Sequence, residues 1–263
     1  MKHMIPALLS WAVLAGAAFA FEPADVADAD IVIVGEVHDN PAHHTAQAAA
    51  VAQLHPKAIV WEMLTPAQAA LITPALIADA DKMADTLGWA DAGWPDFNMY
   101  HPVFAAAPDA VSYGAAVPRE MARGAIDMPL GAIFEAAPAY GLDRGLSDAE
   151  QSARTALQLA AHCDALPKDM LPGMVKVQRL RDATLAQAAV KALADTGGPV
   201  VVITGNGHAR KDWGVPSYLA EVAPAARART IGQGEDGSAP DGGFDAVWDA
   251  PAQSRPDPCA AFE

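Results

Sequence analysis

Three short runs constrain this chain more than any other feature: Ile31–Val34 (IVIV), Ala58–Trp61 (AIVW) and Pro199–Thr204 (PVVVIT). Each is apolar at nearly every position, without the in-out alternation of a strand that has one wet face. Runs of that kind belong to strands buried on both faces, as in parallel sheets. The first run leads into Asn40-Pro41, an N-cap residue followed by proline at a first helical position. An alanine-rich helix over 42–54 follows, His55-Pro56 ends it, and the second run begins. A strand, a helix and a further strand predict two parallel strands of one sheet. The third run follows a helix expected over 180–194 that stops at Gly197-Gly198. Further elements are expected at 111–117 (strand) and 147–162 (helix, with Ser147 and Glu150 as a capping box). The fold class is therefore α/β, a mainly parallel sheet flanked by helices on both faces.

The stretch from about 65 to 108 has a different texture. It is helical in composition but concentrates Trp89, Trp94, Phe97, Tyr100 and Phe104, which predicts a small helical insertion with its own apolar face. From about 232 to 263 the chain is rich in Gly, Pro and Asp and reads as an irregular tail. At the other end, residues 1–20 have a lysine near the start, an apolar run and Ala18-Phe19-Ala20, the pattern of a cleaved secretory signal peptide. The run is short of the roughly 20 residues that span a bilayer, so an exported, periplasmic body over 21–263 without stable membrane insertion is expected. The chain has two cysteines, Cys163 and Cys259. In an oxidising compartment they are expected to form one disulfide tying the tail to the body. A net charge of −15 argues against nucleic acid or an anionic membrane surface as partner.

Chemistry gathers where the strands end. IVIV runs through Gly35 into Glu36 and His38, with His43 and His44 close behind; AIVW is followed directly by Glu62; PVVVIT runs into Gly205-Asn206-Gly207-His208. In an open parallel sheet the carboxyl ends of the strands share one edge, and ligands bind outside it. Glu36, His38, Glu62 and His208 are thus expected to meet. Two carboxylates and two imidazoles could hold a divalent ion such as Zn, Mn or Fe and activate water, or work as a general base and proton relay. The Gly205-to-His208 stretch is not a dinucleotide fingerprint, and no P-loop, H-E-x-x-H, G-x-S-x-G or C-x-x-C is present. His43 and His44, in the first turn of a helix, are favoured as neutral imidazoles by the helix dipole and are candidate cofactor ligands or supports of the ligands. Arg181 and Asp182 read equally well as facing the crevice or as a solvated helix face.

Four segments in order, GEVHDNPAHH, WEML, VQRLRDATLA and ITGNGHARKDWGVPSYL, resemble the ChaN-type haem-binding uptake family of the Tiki superfamily, which also holds erythromycin esterases and TraB-like proteins. The resemblance spans about 30–219. It implies an α/β domain with a small helical part and a haem site with tyrosine ligation at a homodimer interface, serving haem or iron uptake or storage. Tyr100 is the candidate axial ligand, with Met99, His101, Phe97, Phe104 and Trp94 as neighbours or walls and Arg119 or Arg123 for the propionates; the same aromatic residues read equally well as the core of a helical unit. From the hydrolase relatives the resemblance implies the alternative, a metal-dependent hydrolase of ester, amide or peptide bonds using Glu36, His38, Glu62 and His208.

Overall fold

The computed structural model describes residues 26, 28–257 and 259–260; the expected signal peptide lies outside them. Six strands form one sheet: β1 (Ile31–Val34), β2 (Ala58–Trp61), β3 (Val111–Gly114), β4 (Val200–Ile203), β5 (Ala228–Glu235) and β6 (Ala246–Ala250). Their order is β3-β2-β4-β1-β5-β6 and every pairing is parallel. The expected strand–helix–strand unit exists as β1, α1 (Pro41–Leu54) and β2, but β4 lies between its two strands.

The apolar runs are buried on both faces, as a sheet covered on each side requires. Ile31, Ile33, Ala58, Val60, Val200 and Val202 face one core, built with α7 (Arg119–Asp127), α9 (Leu171–Thr196) and α11 (Val215–Val222). Val32, Val34, Ile59, Trp61, Val201 and Ile203 face the other, built with α1 and the helices between β2 and β3. Those helices are α2 (Pro66–Ala69), α3 (Pro74–Ile77), α4 (Ala80–Leu87), α5 (Trp89–Ala92) and α6 (Phe97–Ala105). Trp61 stacks on Phe104 at 3.7 Å, which joins α6 to the sheet face.

Asn40 caps α1 as its position predicts, its side chain accepting from the Ala42 N–H at 3.0 Å with Pro41 at N1. Ser147 likewise caps α8 (Asp148–Ala161), although Glu150 turns to Arg154 instead of closing the capping box. The helix expected over 180–194 is longer and starts at Leu171. The tail is more regular than expected: β6 and the second half of β5 fall within it. β6 is half-buried with alternating exposure, a weak pattern in five residues flanked by glycine, proline and aspartate. Arg255 fastens this region by pairing with both Asp39 and Glu235. Cys163 and Cys259 form the expected disulfide. Among the described residues no helix is long and apolar enough to cross a membrane.

Candidate functional site at the carboxyl edge of the sheet

The chain leaves neighbouring strands β1 and β4 in opposite directions. From β1 it passes through α1 to β2; from β4 it passes through α10 (Asn206–Ala209) and α11, on the other face, to β5. A crevice at such a reversal is where open α/β sheets place ligands. Gly35 permits it. A Cβ there would displace the Asn206 side chain from its hydrogen bonds with Gln233 and press on the Asn206 Cα at 3.1 Å, so glycine favours this close approach of the β1 and β4 ends.

Glu36 is buried and accepts three side-chain hydrogen bonds: from His38 Nδ1 and Gln47 Nε2, both at 2.6 Å, and from the Tyr100 hydroxyl at 3.0 Å. Glu62, from β2, accepts from Thr204 Oγ1 at 2.6 Å and the Gly205 N–H at 2.8 Å, with His208 Nε2 3.5 Å from its other oxygen. The far side of His208 meets Asp182 of α9 at 2.6 Å. The four residues expected to converge do so: a Cβ on Gly205 would lie 3.0 Å from His38 Nε2 and 3.8 Å from Glu62 Oε2.

These contacts set the protonation. Burial disfavours charge on His38, but the Glu36 hydrogen bond and the charges of Glu62, Glu36 and Asp39 outweigh it and push the imidazole up to about 9. Burial also works against the Glu62 carboxylate, yet His208, His38, Thr204 and Gly205 bring it down to about 2. His208 is raised: burial opposes its charge, while Glu62 and Asp182 on either side favour it.

The remaining candidates fall into supports and wall. His43 Nδ1 accepts from the Val37 N–H and its Nε2–H donates to Gly234 O, which fixes a neutral tautomer; burial lowers its proton affinity further. His44 donates to His38 O at 2.8 Å and its ring lies against Tyr100. His101 donates to Ile77 O, and Met99 packs on the helical core. Tyr100 is fully buried with its hydroxyl committed to Glu36. Burial and the Glu36 charge hold its phenol far above the ordinary range. Burial raises the other three tyrosines as well, Tyr113 to about 12. In this structure Tyr100, the expected axial ligand, holds Glu36 through its hydroxyl.

The surface of the site is His38, Trp94 and two arginines. His38 keeps a third of its side chain exposed, and Nε2 has no hydrogen-bond partner among the described residues. Trp94 stands edge-on to its ring at 5.0 Å. Arg119 reaches the neighbouring backbone, its Nη2 3.7 Å from where a Cβ on Gly93 would stand; Arg123 is exposed on the same helix. A cavity of 60 Å³ lies between Glu62, Trp94, Val117, Arg181 and Leu185. Arg181 is half-buried there without a hydrogen bond or ion pair among the described residues. So the crevice reading holds for both Arg181 and Asp182, the second as the His208 partner.

Among the described residues no group of three or more His, Cys, Asp and Glu is arranged to hold a metal ion, contrary to the expectation for Glu36, His38, Glu62 and His208. Both glutamates spend their oxygens on nearby donors. Sequence reading missed Gln47 and Thr204. Gln47 follows His43 and His44 at helical spacing on an otherwise alanine-rich helix, a polar stripe that marks a buried polar face.

The family described as haem-binding uptake, Tiki superfamily, ChaN matches residues 23–219, and the chain belongs to it. Among solved structures, one described as cofacial heme binding to ChaN of Campylobacter jejuni shares the fold, with a TM-score of 0.63 at 17% identity over 87% of this chain and 91% of that one. The type III effector HopBA1 is similar at a TM-score of 0.44, with 14% identity over 85% of this chain and 88% of that one. No curated protein matches the chain.

Proposed function

We propose that this protein binds haem at the carboxyl edge of its sheet and serves haem or iron uptake or storage as an exported, periplasmic protein. Family membership supports the ligand class. The observation that carries the site is His38: its Nδ1 is held by the buried Glu36 while Nε2 is left unpaired. Metal-bound histidines usually donate their far ring N–H to a carboxylate, which fixes the ring and aims the free nitrogen.

The donor set fits haem better than a bare ion. Haem needs an axial ligand, a flat apolar wall and cations for its propionates. His38, protonated at neutral pH before loading, would supply the nitrogen on releasing its Nε2 proton to solvent, Trp94 the wall, and Arg119 and Arg181 the positive charge in an otherwise acidic chain. Bound haem would bring its iron as the cargo; the protein binds it, orients it and keeps the imidazole aimed. The Campylobacter structure is described as binding haem cofacially, which makes a haem-linked homodimer the expected loaded state here. The test is titration of the purified protein with haemin, following the Soret band and the size by chromatography. A saturable Soret shift with an increase in size is expected; no saturable shift at micromolar haemin overturns the reading.

A further inference from the structure

One cleft in the molecule is not used by the haem reading. It is bounded by α8, α9, α11 and the loop 140–146, and it encloses 230 Å³. Three arginines border it in a chain of net charge −15. Arg144 sits at the rim, largely exposed, with Nη2 donating to Glu221 at 2.8 Å. Arg154 and Arg179 form the floor and are only 7% and 8% exposed.

The floor is incompletely satisfied. Arg179 Nη2 donates to Gly141 O at 2.8 Å and Arg144 O at 3.0 Å, but its Nε–H has no partner among the described residues. Arg154 gives Nη2 to Glu150, while its Nε and Nη1 have none among the described residues. A guanidinium cannot shed its proton, and a buried charged donor left unpaired costs more than an ordinary unmade hydrogen bond. A second cavity of 280 Å³, bordered by Gln158, Trp213 and Asp182, shares Arg154 as its wall. Arg154 thus borders two spaces, its guanidinium 5.1 Å from the Trp213 ring. Around the floor, Ser217, Tyr140 and Tyr218 add polar lining.

From this geometry we infer that the cleft is a binding site for a small oxyanion, the phosphate or carboxylate group of a small molecule, held by Arg154 and Arg179 with Arg144 at the mouth. Arginine is the side chain suited to both groups, because its donors match their oxygens. Glu150 and Glu221 leave the three arginines one positive charge in excess, so selection is for a single anionic group. The volume limits the occupant to something small.

The experiment is calorimetric titration of the full protein with inorganic phosphate and, separately, with acetate, against sodium chloride at matched ionic strength. Saturable one-to-one binding of at least one anion is expected, and which one binds names the group. Arg154→Gln should weaken it about tenfold or more, the loss of a charge-assisted hydrogen bond. Arg144→Gln, at the exposed rim where folding is not at stake, should weaken it several-fold and serves if Arg154→Gln does not fold. No saturable binding of either anion overturns the inference. Equal affinity in the wild type and in Arg144→Gln, with Arg154→Gln also equal if it folds, assigns the binding to another surface and overturns it too. None of these outcomes depends on whether haem binds at His38.

Discussion

Tyr100→Phe separates two roles that one residue could play. The substitution keeps the ring, which packs 4.2 Å from His44 and 4.9 Å from Trp89, and removes only the hydroxyl that donates to Glu36 Oε1 at 3.0 Å. Glu36 then keeps His38 and Gln47 as donors, so no carboxylate oxygen is stranded. A hydrogen bond to a charged group contributes about 1.5–3 kcal/mol, and with Oε1 still bonded to His38 the lower part of that range applies, about 1.5–2 kcal/mol. For a chain of this size that lowers Tm by roughly 3–8 °C. Urea unfolding followed by circular dichroism gives the free energy, and a haemin titration of the same variant gives the spectrum. The expected result is a destabilised protein whose Soret maximum matches the wild type. A Soret shift typical of a lost axial ligand, or a stability cost under about 0.5 kcal/mol, would refute the assignment of Tyr100 as a support of Glu36.

Three further outcomes are expected. Gly205→Ala fits the backbone, with φ −64° and ψ 152°, but sets a methyl 3.0 Å from His38 Nε2; haemin affinity should fall about tenfold with the urea midpoint nearly unchanged. Cys259→Ser opens a link between positions 96 apart in sequence and should cost about 2–4 kcal/mol in unfolding, an effect that reducing agent should reproduce in the wild type. The hydrogen bonds from Arg255 and Asn40 hold Glu235 down to about 2 from its ordinary 4.5. A depressed carboxylate stabilises the fold above the ordinary value and loses that contribution as pH falls from 4.5 toward 2. Unfolding midpoints over that window should drop less steeply in Arg255→Gln than in the wild type.

The sheet core was legible because its strands are nearly pure β-branched runs, and the edge was legible because each run ends in a carboxylate or imidazole. Strand order was not: the sequence places β1 and β2 in one sheet but cannot show that β4 inserts between them. β5 escaped notice because, although it is buried on both faces, Ile231 is the one large apolar side chain among its buried residues, which are otherwise glycine, threonine and glutamine. Thr230 and Gln233 are buried there, Gln233 donating to Gly35 O and His43 O, so the strand lacks the apolar signature that marks the others. For Tyr100, an aromatic cluster in the sequence fits a ligand wall and a packed core equally. Only the distance to Glu36 separates them, and residues 36 and 100 carry no sequence signal of their contact. Arg181 and Asp182 show the same limit, since one lines the crevice cavity and its neighbour pairs with His208.

The most direct test of the central claim is the absorption spectrum of His38→Gly titrated with haemin, with and without added imidazole. The account predicts that the variant loses the saturable Soret shift of the wild type and that free imidazole, entering the space left by the side chain, restores it. A His38→Gly protein that binds haemin with the wild-type spectrum and affinity would contradict it.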